Sequence, residues 1–447
     1  MITLSKYSHL FISKNDIHLL YNSEINSFIE LTRSQYNAIL QFKETENVQG
    51  LSHDEIEYLK RNKILIDSNQ KDDYYNKVKF LTLLNCFSYD VLTLNIIPTT
   101  ACNFSCPYCF EANKPLRYMP DNIIEDLCSF INKNSRAKKI NLMWYGGEPL
   151  MAAKIIRKIL VKFNTSIEIP IAHQSLITNG YCINEDVCEL FEEYPLNDIQ
   201  ITLDGTKTEH NKKRFTRTDH NTYDKIMHNI GLILNKLPKT HVHVRINVDE
   251  NNKHEFHNIT KELRSLFHTD RLTFYPGFIR IEDNSMQKMK APSIIGASKR
   301  DFYFDLHCEG EDVNFYPIHR NKMCSAVKLN TYIIGPSGEF YKCWNDVGYK
   351  DRIIGYINKE NLDNQSLLLK YLMDGTMFDS PECRDCFFFP ICGGGCPQYR
   401  LKNKYNNGKF NLCSTFHDGT KNLDYLNRCL EEYYLSTTKN TLKFDEI

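Results

Sequence analysis

Three cysteines in the run Pro98-Thr-Thr-Ala-Cys102-Asn-Phe-Ser-Cys106-Pro-Tyr-Cys109-Phe-Glu constrain this chain more than any other feature. The spacing Cys-x3-Cys-x2-Cys brings three thiols within reach of one metal centre. A closed structural zinc site wants four ligands, and no fourth cysteine lies nearby. A four-iron cubane held by three thiolates keeps one iron open, and an open position is where metal chemistry happens. The plainer alternative is a structural zinc loop or three unpaired thiols. The whole chain holds sixteen cysteines in 447 residues. Without the pattern of an export signal, the expected compartment is the reducing cytoplasm, where structural disulfides are rare. So many cysteines there point to metal, cluster or redox chemistry.

Composition excludes several classes. Fifty-five basic and 55 acidic residues give zero net charge, which removes a bulk electrostatic case for nucleic acid or an anionic membrane surface. No apolar run reaches the ~18 residues that would span a bilayer. The 42% apolar and 25% charged content is that of a globular chain, so disorder is not expected.

Residues 1–75 read as a small α+β unit. Short β-rich runs at His9-Leu-Phe-Ile, Ile17-His-Leu-Leu-Tyr and Ile25-Asn-Ser-Phe-Ile-Glu-Leu are separated by turn residues. Helical patterns follow near Ser34–Phe42 and from Ser52, whose capping-box partner is Glu55. Ile64-Leu-Ile-Asp closes the unit, and Ser68-Asn-Gln-Lys-Asp-Asp reads as a linker. Residues 85–290 alternate strand and helix. Strands are expected at Val91–Ile97, Ile140–Tyr145, Gln174–Thr178, Asp198–Leu203, His241–Val248 and Leu272–Phe278. Helices are expected at Asp121–Asn134, Leu150–Phe163, Glu185–Glu193, Tyr223–Leu237 and Lys253–Phe267. Six repeats predict a parallel α/β architecture, too short for the roughly 250 residues of a full eight-fold barrel. A partial (β/α)6 barrel and a doubly wound sheet both fit. Residues 300–447 change character: cysteine and glycine cluster, periodicity fades, and ligation is expected to replace a broad apolar core.

The cysteine loop follows the first strand of the repeat region, at the strand end where parallel α/β folds place active sites. Its spacing, with aromatic Tyr108 before the last cysteine, resembles the radical S-adenosylmethionine (SAM) superfamily. The next strand ends Met143-Trp-Tyr-Gly146-Gly147-Glu148-Pro149, similar to that superfamily's Gly-Gly-Glu-Pro motif. Two glycines allow close approach to the backbone, and a carboxylate can pair with the methionine ammonium. By the same resemblance, Thr178-Asn179-Gly180 and Asp204-Gly205 would line the ribose and methionine carboxylate. Arg214, Arg245 and Asn247 are further candidates for these contacts, and Tyr108 would offer a backbone contact to adenine. The resemblance implies reductive cleavage of SAM to methionine and a 5′-deoxyadenosyl radical, which abstracts hydrogen from a substrate.

A second set reads Cys324-x13-Gly338-x4-Cys343, then Cys383-Arg-Asp-Cys386-x5-Cys392-Gly-Gly-Gly-Cys396, then Cys413. A zinc ribbon of Cys383, Cys386, Cys392 and Cys396 is one reading. The ordered seven resemble the SPASM domain of peptide-modifying radical enzymes, which implies two auxiliary [4Fe–4S] clusters and three clusters in all. The resemblance gives Cys383, Cys386, Cys392 and Cys413 to the distal cluster and Cys324, Cys343 and Cys396 to the nearer one. The nearer set is one ligand short, to be filled by Cys308 or left open for substrate. Cys128, Cys188 and Cys429 fall in helical patterns and are expected to be buried apolar groups. Some sulfatase-maturing relatives carry an aspartate right after the cysteine matching Cys343. Here Trp344 stands there, leaving Asp346 as the candidate base.

The N-terminal element order resembles the winged-helix-like recognition units of enzymes that mature ribosomal peptides, which would bind a leader peptide as an added strand at a sheet edge. A plain structural cap is the alternative. Together these features predict a peptide maturase whose partners are a precursor peptide with a leader segment and a flavodoxin- or ferredoxin-like electron donor. The product would be a thioether or carbon–carbon crosslink, or an epimerised residue. Alternatives are a sulfatase-type formylglycine maturase and a non-catalytic iron–sulfur electron carrier. His9, His18 and His173 read as ordinary strand-edge groups.

Overall fold

A computed structural model gives the fold and describes residues 1–47, 50–111, 114–134, 136–279, 296–311, 313, 316–320, 323–413 and 423–437. It divides into two compact units, Met1–Cys86 with Gly296–Val327 and Tyr371–Ile447, and Phe87–Ile295 with Lys328–Lys370. These are not the three consecutive segments expected from composition, and the boundary expected between 290 and 300 lies mostly outside the described residues.

In the first unit, β1 (Ile2–Leu4) pairs antiparallel with β5 (Leu65–Asp67), while β2 (Ser8–Ile12), β3 (His18–Asn22) and β4 (Ser27–Leu31) form an antiparallel meander. Helices Arg33–Thr45 and His53–Arg61 each open on a capping box, Thr32 with Gln35 and Ser52 with Glu55. The stretch read as a linker leads directly into a helix, Asp73–Cys86. The meander's buried Phe11, Leu19, Tyr21 and Phe28 pack with Phe388, Ile391, Tyr425, Leu426 and Leu430. The cysteine-rich C-terminal stretch therefore has an apolar core, which it shares with the N-terminal strands.

The second unit is a mixed α/β fold built on one large, mostly parallel sheet. Strands β6 (Val91–Ile96), β7 (Lys139–Trp144), β8 (Ile171–Thr178), β9 (Asp198–Leu203), β10 (His241–Val248) and β11 (Leu272–Phe278) lie side by side in sequence order, each parallel to the next. A doubly wound sheet would reverse its order at a switch point. The unreversed order is consistent with the partial barrel. Beyond β6 the sheet gains β12 (Thr331–Ile334), parallel, then β13 (Glu339–Tyr341) and β14 (Gly355–Tyr356), antiparallel. Helices Asp121–Lys133, Ala153–Ser166, Glu185–Glu193, Thr222–Lys236 and Phe256–Leu266 supply the connections.

The strands alternate. Ile140, Leu142 and Trp144, Ile199, Ile201 and Leu203, and Val242, Val244 and Ile246 are buried. Between or just after them lie Asn141, Met143 and Tyr145, Gln200 and Thr202, and His243, Arg245 and Asn247. A parallel strand covered on both faces reads as continuously apolar, so this alternation marks one face left for polar chemistry. Among the described residues no helix is long and apolar enough to cross a membrane.

Candidate active site

The loop after β6 is fixed at several points. Thr99 Oγ1 and the Thr100 amide both donate to the Arg117 carbonyl (2.8 and 3.0 Å), and the Ser105 amide donates to the Phe215 carbonyl (2.8 Å). A Cys109 N–H to Cys106 O bond closes the turn. The loop brings Cys102, Cys106 and Cys109 within electrostatic reach of one another. Burial pushes the Cys106 thiol up to about 11, against the opposing pull of the Arg214 guanidinium. Arg214 also lies over the Phe104 ring at 5.5 Å. Beside the thiols, two buried donors lack acceptors: Asn103 Nδ2 and Arg214 Nε. Three thiols within reach of one another, with unanswered donors beside them, fit an anionic iron–sulfur group. Among the described residues no three His, Cys, Asp or Glu side chains close on a single metal ion.

The glycines after β7 serve the chain's own backbone. Gly146 has φ +142°, and a Cβ there would sit 2.2 Å from the Thr99 carbonyl oxygen; one on Gly147 would sit 2.4 Å from that of Ala101. The strand end is laced to the cysteine loop through Glu148 N–H to Ala101 O at 2.8 Å. The Glu148 side chain is fully buried. It accepts from Thr178 Oγ1 (2.7 Å), the Asn179 amide (2.7 Å) and the Leu150 amide (3.0 Å). The carboxylate ties the end of β7 to the end of β8. Pro149 starts the following turn and is buried. Asn179 Nδ2 in turn donates to Asn103 Oδ1 at 2.8 Å, so the tie reaches the cysteine loop.

A second polar knot lies at the ends of β9 and β10. Buried Asp204 accepts from the Tyr108 hydroxyl (2.5 Å) and Asn247 Nδ2 (3.1 Å), and stands 3.7 Å from Arg214 Nη1. Arg214 Nη1 and Asn247 Nδ2 also donate to the Tyr108 hydroxyl, each at 3.2 Å. Burial raises the Asp204 carboxyl, with Arg214 the leading opposing charge. Sequence reasoning gave Tyr108 only a backbone role and missed this hydroxyl. It also missed Asn252, whose amide bridges the Asp204 and Asn247 carbonyls at 3.1 and 3.0 Å. Arg245 bonds Asn247 through Nε at 3.0 Å and crosses the backbone at Gly277, where a Cβ would stand 2.2 Å from that nitrogen. Gly277 is the register partner of Asn247, two residues along from Arg245, and its lack of a side chain is what lets the arginine cross.

The remaining candidates are more dispersed. Cys383, Cys392 and Cys413 lie within electrostatic reach of Cys386, whose thiol burial pushes up to about 11. Cys324 and Cys396 belong to the first unit and Cys343 to the second. Cys308 ends helix Gly296–Cys308, exposed, with Glu432, Asp305, Arg428 and Glu309 as its charged neighbours and no cysteine among them. Asp346 is 2% exposed within a short 3-10 turn, its amide bonded to the Cys343 carbonyl. The side chain is enclosed rather than solvated. Cys86, Cys128, Cys188 and Cys429 are buried.

Residues 96–263 match the family model described as the Radical SAM superfamily. An uncharacterized protein of Synechocystis is 32% identical over 143 residues, which is 30% of this chain and 36% of that protein. The cysteine-type anaerobic sulfatase-maturating enzyme of Clostridium novyi is 26% identical over 363 residues, covering 73% of this chain and 93% of the enzyme. Among solved structures, Streptococcus suis SuiB bound to S-adenosylmethionine superimposes with a TM-score of 0.53 at 17% identity, over 92% of this chain and all of that one. SuiB has also been solved with its precursor peptide SuiA.

Proposed function

We propose that this chain, whose residues 96–263 match the Radical SAM superfamily model, is a maturase that abstracts hydrogen from a ribosomally made precursor peptide. Bound together, a [4Fe–4S] cluster and SAM supply a 5′-deoxyadenosyl radical. Cys102, Cys106 and Cys109 would hold that cluster. Gly146, Gly147, Glu148 and Pro149 shape the shelf beside it, and Thr178, Asn179, Asp204, Arg214, Arg245 and Asn247 frame the cofactor. Glu148 keeps Thr178 and Asn179 in place; Asp204, Tyr108 and Asn247 orient Arg214. The supporting observation is three thiols within electrostatic reach of one another, beside the buried, acceptor-less Asn103 Nδ2 and Arg214 Nε.

Cys383, Cys386, Cys392 and Cys413, all in the first unit, would hold one auxiliary cluster. The meander β2–β4 would take the leader peptide along an outer edge. Among the described residues no strand pairs with the outer side of β2 or β4. Because the meander shares its core with the C-terminal stretch, deleting it would expose that core. Proline substitutions on an edge are the sounder test of docking. The likeness to SuiB supports a peptide as substrate.

Anaerobically reconstituted protein with SAM and a low-potential reductant should release 5′-deoxyadenosine, and Cys106→Ala should abolish it. Coexpression with a precursor, read by mass spectrometry, should give a loss of two hydrogens for a crosslink, or deuterium uptake at constant mass for epimerisation. Full activity in Cys106→Ala would end the proposal.

A further inference from the structure

The loop Gly393-Gly394-Gly395 joins Cys392 to Cys396. Gly394 and Gly395 both have φ +75°, in the left-handed region that glycine alone enters freely. Close packing demands glycine as well: a Cβ on Gly395 would lie 2.3 Å from the Leu412 carbonyl oxygen, one residue before Cys413. The loop is thereby seated between two of the cysteines assigned above to one cluster. Gly394 is gripped from both sides. Its N–H donates to Cys392 Sγ at 3.4 Å, and its carbonyl accepts from Arg400 Nη2 at 2.7 Å. Arg400 comes from helix Pro397–Tyr405, is 9% exposed, and keeps its Nε buried without an acceptor. Its guanidinium cannot shed its charge. A buried permanent cation therefore sits under a loop that bonds a cluster sulfur.

We propose that Arg400 is a positioning residue that sets the reduction potential of the cluster held by Cys383, Cys386, Cys392 and Cys413. It fixes Gly394 so that its N–H stays on the Cys392 sulfur, and it places positive charge under the loop that carries that bond. Four thiolates give the cubane a net negative charge, and one-electron reduction adds another. Hydrogen bonds to sulfur and nearby charge are established levers on cluster potential. Both favour the reduced state here, so removing Arg400 makes the cluster harder to reduce.

The inference rests on the auxiliary-cluster assignment proposed above. The test is a mediated redox titration of anaerobic full-length holoenzyme, followed by electron paramagnetic resonance, on wild type, Arg400→Met and Arg400→Lys. Arg400→Met should keep its iron while one cluster becomes about tenfold less reduced at the wild-type midpoint, a fall of about 59 mV for one electron. Arg400→Lys keeps charge but not the fork, and should fall less. Unchanged potentials for every cluster in an iron-replete Arg400→Met protein would overturn the proposal. If Arg400→Met loses iron, Arg400→Lys decides: a lowered midpoint supports the proposal and an unchanged one overturns it. Wild type with iron for one cluster only would instead sink the auxiliary-cluster reading, and this inference with it.

Discussion

Replacing Glu148 by Gln separates two jobs that one carboxylate could do. In the structure its oxygens accept from Thr178 Oγ1, Leu150 N–H and Asn179 N–H. The Thr178 hydroxyl can reorient, since it already accepts from the Gly180 amide. The two backbone N–H groups cannot. Glutamine offers one oxygen, so whichever way its amide points, its NH2 opposes one of them. An unmade bond to a charged acceptor, with a buried donor left over, costs about 1.5–3 kcal/mol. Burial raises the carboxyl of Glu148, so the neutral amide recovers part of that, leaving about 2 kcal/mol. At roughly 2–4 °C per kcal/mol for a unit of this size, the apo protein should melt about 4–8 °C lower. SAM affinity should fall about tenfold, through the displaced Thr178 and Asn179. Differential scanning fluorimetry and anaerobic titration calorimetry read both quantities. An apo melting point unchanged within about 1 °C, together with loss of SAM binding, would refute the brace. It would show that the carboxylate serves the ligand ammonium directly.

Gly147→Ala should misplace the cysteine loop, because its Cβ would fall within 2.4–2.7 Å of backbone atoms of Thr100 and Ala101 that cannot yield; iron content after reconstitution checks it. Arg214→Met removes the cation next to Cys106 and one donor to the Tyr108 hydroxyl, so SAM affinity should drop at least tenfold with a smaller change in melting point; equal losses of both would argue for a purely structural arginine. Cys386→Ala should lose one cluster's worth of iron while the protein still binds SAM, as metal analysis and calorimetry can show. Hydrogen bonds from Arg384 and Lys6 lower the Asp72 carboxyl from 3.8 to about 2. Its folded value lies below its unfolded one, so the stabilisation is present above about pH 4 and fades as pH falls towards 2. Solvent exposure trims it to about 1 kcal/mol, and the difference between wild type and Asp72→Asn in denaturant titrations should vanish over that window.

What the sequence disclosed was whatever is local and periodic. Strands and helices between Val91 and Phe278 lie within a few residues of their expected bounds, because alternating and 3.6-residue apolar patterns report burial directly. The helix Asp73–Cys86 carried no such stripe: Tyr74, Tyr75, Val78, Phe80, Leu81, Leu83 and Leu84 lie around its circumference, and Phe80, Leu81 and Leu84 are exposed. Lys207–Lys213 has no apolar residue from which to read a period. The addition of β12 to β6, with Thr331 opposite Thr93, joins segments whose proximity no local pattern encodes. That pairing moves residues 328–370 into the α/β unit and divides the expected C-terminal part. At the site, motif spacing located the thiols and Glu148, while side-chain direction remained hidden. Tyr108 and Glu148 show this best: the motif marks their positions, but only packing decides that one hydroxyl reaches Asp204 and one carboxylate turns inward.

Five buried side-chain polar atoms lack a partner among the described residues, and three of them are Asn103 Nδ2, Arg214 Nε and Arg400 Nε. All three are donors, and each lies beside a cysteine loop. A buried unsatisfied donor costs about 1–3 kcal/mol, so the three together weigh about 3–9 kcal/mol, a large share of the 5–15 kcal/mol that holds a domain folded. Donors of this kind persist where acceptors are part of the working protein, and sulfide, thiolate and carboxylate oxygens are all acceptors. The same requirement explains the glycines. At Gly146 and Gly147 the strand end approaches one cysteine loop, and at Gly395 the chain closes on the residue before Cys413, each time at distances no side chain tolerates. Cysteines alone would suit many metals. Cysteines with buried cationic and amide donors, set in backbone that glycine lets close around them, suit an anionic cluster.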